Sequence, residues 1–247
     1  MQRIAVVTGG LGGIGTAICR RLSDEGLRVV CADVGAESTR AAEWVQEQER
    51  AGYRFAVYEV NVTEFSSCQR AVAAIEEASG PIGILVNCAG ITRDGMFRKM
   101  HPDQWDAVLS TNLGSVFNMT RQVIEGMAER GYGRVVNISS VNGQKGQFGQ
   151  TNYSAAKAGM HGFTMALAQE VAGKGITVNS ISPGYVGTQM VMAVPEEVRA
   201  QIIAQIPVGR LGRPEEIAAA VAFCVSEEMG YMTGANLAVN GGLHMQF

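Results

Sequence analysis

The sequence predicts one α/β domain: a parallel sheet of seven strands covered by helices on both faces. Three observations predict it. Short β-branched runs alternate with longer amphipathic stretches from end to end. The strand segments are continuously apolar, as in strands buried on both faces. No Pro/Gly/Ser linker or shift in composition divides the 247 residues, so the chain is expected to be one domain spanning residues 1–247.

The elements follow in order. RIAVVTGG (3–10) is a strand, and IGTAICRRLSDEG (14–26) repeats apolar residues at helical spacing until Gly26 stops it. RVVCAD (28–33) is the second strand, followed by a helix in RAAEWVQEQERAG (40–52) and a third strand in RFAVYEVNV (54–62). A helix in 64–80 leads to the strand IGILVNCAG (82–90), and residues 103–130 read as one long helix. GRVVNISS (133–140) is a strand, 152–173 a helix, and ITVNSISPG (176–184) a strand. A loop with a short helix near 195–205, a helix from about 214 and the strand ANLAVNGG (235–242) complete the chain. Right-handed crossovers between such strands give a doubly wound, Rossmann-like sheet.

Composition narrows the function. Charged residues are 17% of the chain and the net charge is −3, with no basic cluster, so a nucleic-acid partner is not expected. Cys19, Cys31, Cys68, Cys88 and Cys224 are widely spaced, and four lie in or beside apolar runs. Reduced, buried thiols of a cytoplasmic protein are expected. His101, His161 and His244 are too scattered for a metal site. A strand-like run begins at once, and no segment reaches about 18 uninterrupted apolar residues, so no export and no membrane association are expected.

The stretch VTGGLGGIG joins the first strand to the first helix, the context in which a glycine-rich loop is informative. It fits G-x-G-x-x-G through Gly10, Gly12 and Gly15, or T-G-x-x-x-G-x-G through Thr8, Gly9, Gly13 and Gly15; spacing alone does not choose. In either register a pyrophosphate can approach backbone N–H groups at a helix N-terminus, where the macrodipole favours anions. Asp33 ends the second strand twenty residues beyond Gly13, where a carboxylate accepts hydrogen bonds from an adenosine ribose and repels a 2′-phosphate. A strand-end turn residue is the plainer alternative. With Arg40 the nearest arginine downstream, the residues favour NADH and leave NADPH as the alternative.

In YSAAK, Tyr153 and Lys157 stand one helical turn apart, which on its own also suits a solvated helix face. Taken with the glycine-rich loop, NCAG at 87–90, Asn112 and Ser140 thirteen residues before Tyr153, the chain resembles the short-chain dehydrogenase/reductase family along its whole length. The resemblance selects the second glycine register and implies that Ser140, Tyr153, Lys157 and Asn112 are catalytic. Tyr153 would protonate a carbonyl oxygen, Ser140 would hold it, and Asn112 would support a water linking Lys157 to solvent. Lys157 and an oxidised nicotinamide are expected to lower the Tyr153 pKa toward working pH. The same resemblance places the cofactor on Gly9, Leu11, Gly13, Ile14, Gly15 and Asp33, with Asn61 and Val62 at adenine. It adds Asn87, Ala89, Gly90, Tyr153, Lys157, Pro183 and Gly184, with Val186 and Thr188 at the carboxamide; Cys88 stands where a second asparagine is frequent.

GITRDGMFRKM (90–100) and NGQKGQFGQTNY (142–153) resemble 3-oxoacyl thioester reductases, most nearly acetoacetyl-CoA reductases of polyhydroxybutyrate synthesis. That implies an acyl-CoA substrate on Gln147, Phe148, Gln150 and Tyr185, beside Ser140 and Tyr153, with Asp94 and Lys99 toward the thioester arm; Arg98 and Lys99 as a solvated pair remain equally open. The methionine-rich segment after Thr188 reads as a substrate lid around 187–212, or as interface. A 3-oxoacyl-(acyl-carrier-protein) reductase is the alternative activity, and a catalytically silent dinucleotide-binding regulator a third reading. The family is commonly tetrameric, so a homotetramer is expected.

Overall fold

The computed structural model describes residues 3–245. Seven strands form one sheet in the order β3-β2-β1-β4-β5-β6-β7, every pair parallel. They are β1 (Ile4–Thr8), β2 (Arg28–Asp33), β3 (Ala56–Glu59), β4 (Ile82–Asn87), β5 (Gly133–Ile138), β6 (Ile176–Pro183) and β7 (Asn236–Val239). The order reverses between β1 and β4, which opens a crevice at their C-terminal ends.

The first half contributes helices α1 (Gly13–Asp24), α2 (Thr39–Arg50), α3 (Phe65–Ser79), α4 (Pro102–Leu109) and α5 (Ser115–Glu129). The second contributes α6 (Val141–Lys145), α7 (Thr151–Val171), α8 (Gln189–Met192), α9 (Glu196–Ala204) and α10 (Pro214–Val225). One face of the sheet packs on α1, α2 and α10 through Ile18, Leu22, Trp44 and Val221; the other packs on α3, α5 and α7 through Ile75, Met119, Met127 and Ala168. Leu22 and Ile75 are wholly buried, each contributing about 1.5–3 kcal/mol by leaving water. Helix starts are supplied locally: Ser38 Oγ accepts from Ala41 N at 3.3 Å, and Gln104 Oε1 accepts from His101 N at 2.9 Å ahead of Pro102.

One expectation is corrected. The long helix of residues 103–130 is interrupted by a π-helical turn at Ser110–Gly114, between α4 and α5. Apolar periodicity runs on across it, so the sequence pattern gives no warning, yet one widened turn re-aims Asn112 into the core. The helix α6 lies in a stretch to which the sequence pattern assigns no element; its five residues are too few and too polar to show a period. The segment 187–212 is an excursion stitched at its neck, where Gly187 N donates to Gly212 O at 2.8 Å and Gly212 N to Tyr185 O at 2.9 Å. Cys19, Cys31, Cys68 and Cys224 are buried and Cys88 half-buried, all as free thiols. Among the described residues no helix is long and apolar enough to cross a membrane, and no His/Cys/Asp/Glu group could hold a metal.

Candidate active site

The expected site residues gather along the C-terminal edge of the sheet, because each of β1 to β6 delivers its following loop there. The glycine-rich loop comes first. Gly9 has φ +67°, and a Cβ on it would stand 2.8 Å from Ala89 Cα of the β4 loop. A Cβ on Gly15 would meet Gly9 O at 2.2 Å, and one on Gly10 would meet Cys31 Sγ at 2.4 Å. Glycines of both registers are therefore needed: Gly9 and Gly15 shape the turn, and Gly10 lets the loop lie on β2. Thr8 Oγ1 accepts from Cys88 N at 3.0 Å and Ala89 N at 3.2 Å, holding the two walls of the crevice together.

Helix α1 starts behind Gly12 with no side-chain cap and no acidic residue in its first turn. Its leading N–H groups are left to face an anion at the positive end of the helix dipole. Thr188 lies against Gly13, 3.3 Å from where a Cβ would be, so the P-G-x-x-x-T stretch reaches the same spot from the other side. Ile14 and Leu11 pack inward and contribute backbone only. This uncapped cradle is the right shape for a dinucleotide pyrophosphate.

Asp33 lies beside it. Its carboxylate accepts from Leu11 N at 3.0 Å and Val34 N at 2.8 Å, and burial raises its pKa above the ordinary range against those two bonds. Arg40 Nη2 donates to Leu11 O at 3.3 Å, so the arginine does reach the same edge. At the adenine end, the Asn61 side chain is engaged locally: Nδ2 donates to Glu64 at 2.8 Å and Oδ1 accepts from Thr63 Oγ1 at 2.8 Å. Val62 is buried, and its carbonyl accepts from Asn118 Nδ2 at 2.9 Å. Asn87 turns into the sheet, donating to Asn137 Oδ1 at 2.9 Å and Thr120 Oγ1 at 3.1 Å. It ties β4 to β5. Gly184 sits tight on β7, a Cβ there falling 2.8 Å from Asn240 Cα, with Pro183 paired to Val239. Val186 bridges to Gly212.

The residues expected to be catalytic stand close together. Ser140 caps α6, its Oγ accepting from Asn142 N at 3.1 Å, and its hydroxyl is near enough to the Tyr153 phenol to pull that group's pKa down. Lys157 is buried; its Nζ donates to Ile138 O at 2.8 Å and lies 5.5 Å from the centre of the Tyr153 ring. Asn112 Nδ2 donates to Ile91 O and Val108 O, each at 2.9 Å, while its buried Oδ1 has no partner among the described residues. A Cβ on Gly90 would fall 2.6 Å from that oxygen and 3.6 Å from Lys157 Nζ. An orphaned acceptor beside a buried ammonium is what a bridging water would satisfy.

The protein's own groups act on the Tyr153 phenol in two directions. Burial pushes the phenol up to about 12, with the Ser140 hydrogen bond pulling the other way. Burial also brings Lys157 down to about 8. The amine donates to the Ile138 carbonyl and lies 5.5 Å from the centre of the phenol ring. Tyr153 therefore keeps its proton at neutral pH, the state a proton donor needs.

Around this group Gln150 bridges Asp94 and Asn142, donating to Asp94 Oδ2 at 2.8 Å and accepting from Asn142 Nδ2 at 2.9 Å. Gln147 accepts from Lys145 Nζ at 3.2 Å, and Phe148 is 84% exposed at the rim. Lys99 is exposed in a short turn after Phe97, with Arg98 beside it. Tyr185, together with Ile206, Val208 and Ile217, walls a cavity of about 150 Å³ under the 187–212 excursion. Sequence reasoning missed Ser139, which donates to Lys157 O at 2.8 Å, and His161, 3.2 Å from Ser139 Oγ. The signal was available: Tyr153, Lys157 and His161 recur every four residues along one helix.

A family model described as short chain dehydrogenase matches residues 3–199. The acetoacetyl-CoA reductase of Allochromatium vinosum is 60% identical over 245 residues, covering 99% of this chain and 100% of that protein. The acetoacetyl-CoA reductase of Cupriavidus necator is 59% identical over 244 residues, 99% of each. More distant is a 3-oxoacyl-(acyl-carrier-protein) reductase of Vibrio cholerae, 42% identical over 243 residues, 98% of each. With an all-parallel sheet, an open glycine cradle and a Ser-Tyr-Lys group at its switch point, this chain belongs to the short-chain dehydrogenase family.

Proposed function

We propose that this chain reduces acetoacetyl-CoA to (R)-3-hydroxybutyryl-CoA with a nicotinamide cofactor, as a step of polyhydroxybutyrate synthesis. The observation that carries the chemistry is the convergence of Ser140, Tyr153 and Lys157 beside the crevice between β1 and β4. The substrate rests on the full-length likeness to proteins named acetoacetyl-CoA reductase, the carrier-protein reductase being the more distant relative.

A reduced nicotinamide, when bound, supplies the hydride. The remaining work falls to the chain. Ser140 Oγ holds the ketone oxygen, and as negative charge grows there Tyr153 transfers its phenolic proton to that oxygen, leaving phenolate and an alcohol. Lys157, with a pKa near 8, is charged at neutral pH and stabilises the phenolate that forms. A water between Asn112 Oδ1 and Lys157 would return the proton. Gly9, Gly13, Gly15 and the first turn of α1 would hold the pyrophosphate, Asp33 the ribose hydroxyls, Ala89 and Gly90 the crevice wall, and Thr188 the carboxamide. Asn61, Val62, Pro183, Gly184 and Val186 enter this reading as backbone and shape. Gln147, Phe148, Gln150 and Tyr185 would line the acyl pocket, with Asp94 and Lys99 toward the thioester arm.

Asp33 supports NADH over NADPH, with Arg40 opposing it. A homotetramer, a cytoplasmic site and a closing lid at 187–212 belong to the same proposal. Exposed Phe65 and Phe117, with ring centroids 6.1 Å apart, offer an apolar face to another subunit. The test follows reduced-nicotinamide absorbance with acetoacetyl-CoA and with an acetoacetyl carrier protein, under NADH and NADPH in parallel. Faster turnover of the CoA thioester supports the proposal; turnover of the carrier-protein thioester alone would replace it with the fatty-acid reading.

A further inference from the structure

Helix α7 carries a third polar residue in register with Tyr153 and Lys157. His161 lies one turn beyond Lys157 and is half-buried between the ends of β5 and β6. Its Nε2 is 3.2 Å from Ser139 Oγ and its Nδ1 3.2 Å from Ser180 Oγ. Ser139 donates to Lys157 O at 2.8 Å, and a hydroxyl has one proton to give. Ser139 Oγ must then accept from His161, which fixes the imidazole proton on Nε2. On the other side of the ring, Ser180 Oγ lies 3.2 Å from Nδ1 and also donates to Asn236 Oδ1 at 3.1 Å, which accepts from Ser182 Oγ at 2.8 Å as well. In the pair His161 and Ser139, each donor points toward the Lys157 carbonyl. Burial and the nearby Lys157 charge both lower the His161 pKa, which keeps the ring neutral and this polarity intact.

Ser139 is the residue next to Ser140, so its hydroxyl links the strand end that delivers Ser140 to the helical turn that delivers Lys157. The opposite side of that turn is already pressed by α6, where a Cβ on Gly143 would stand 2.7 Å from Lys157 C. The turn is thus held between a backbone contact on one side and a hydrogen-bonded relay on the other.

We propose that His161 is a positioning residue: through Ser139 it sets the separation and aim of Lys157 and Ser140, and hence the efficiency of proton transfer from Tyr153. The inference rests on the reductase reading only for its activity arm. The test compares His161→Leu, His161→Gln, His161→Asn and Ser139→Ala by kcat, KM for acetoacetyl-CoA, cofactor Kd from fluorescence titration, and Tm. A Gln amide nitrogen overlays Nε2 and can still donate to Ser139; an Asn nitrogen overlays Nδ1 and cannot.

His161→Leu should lower kcat about tenfold and weaken cofactor binding several-fold, with acyl KM within about twofold. Glutamine should restore most of both, asparagine neither, and Ser139→Ala combined with His161→Leu should cost no more than either alone. A folded His161→Leu with unchanged kcat and Kd, or equal rescue by Asn and Gln, overturns the proposal. If His161→Leu does not fold, the Gln and Asn pair decides. Absence of turnover in the unmodified chain would sink the reductase reading instead, and the Kd arm would still judge His161.

Discussion

Replacing Asp33 by serine should move cofactor use toward NADPH. The carboxylate is pinned by Leu11 N and Val34 N at 3.0 and 2.8 Å, so it cannot swing away from a 2′-phosphate placed at the ribose edge. Two unit charges about 4 Å apart at an effective dielectric near 20 repel by about 4 kcal/mol. Arg40, bonded to Leu11 O at 3.3 Å, brings a compensating cation to the same edge, and we take about half of the repulsion as the net penalty. About 2 kcal/mol is roughly 30-fold in the ratio of kcat/KM values for the two cofactors. The assay is initial rate against NADH and NADPH for the unmodified chain and Asp33→Ser, with Tm confirming the fold. Because burial raises the Asp33 pKa, its charge is lost at a higher pH than for a free carboxylate; NADPH use should therefore climb as pH falls, and only in the unmodified chain. A cofactor ratio unchanged by Asp33→Ser would refute the electrostatic argument.

Lys157→Met should destroy turnover yet stabilise the cofactor-free fold at neutral pH. Lys157 falls from 10.5 to about 8 on burial, so the folded state releases a proton that the unfolded state still holds between those values. Stability then rises with pH through that window, and the charged amine costs up to about 3 kcal/mol below it. Denaturant melts of both proteins at neutral and alkaline pH check this; a gap that fails to narrow as pH rises speaks against it. Gly15→Ala should cost at least about 3 kcal/mol and abolish cofactor binding, its methyl meeting Gly9 O at 2.2 Å, whereas Gly12→Ala, at 3.3 Å from the same atom, should be milder. Thermal melts and fluorescence titration of the pair would expose an error if the two variants behaved alike.

The strands were legible because burial on both faces makes them continuously apolar, and their order fixed where Gly9, Asp33, Ser140 and Thr188 must meet. Tyr153 and Lys157 were legible as a one-turn spacing, and Ser140 stood out only through the family resemblance. What the chain did not disclose depends on three-dimensional surroundings. The π-helical turn at Asn112 is hidden because the apolar stripe runs through it. The pairing of the Asn87 amide with Asn137 crosses a strand boundary that only register reveals. The burial that acts on both Tyr153 and Lys157 is a property of the folded surroundings and has no signature in the spacing.

The central claim is that Tyr153 is the proton donor to the ketone oxygen, and Tyr153→Phe tests it with the smallest change available, one oxygen. With acetoacetyl-CoA and saturating cofactor, kcat should fall by about 10³-fold while Tm and cofactor Kd stay close to those of the unmodified chain. A Tyr153→Phe protein that binds cofactor normally and keeps more than about a tenth of its kcat would contradict the account.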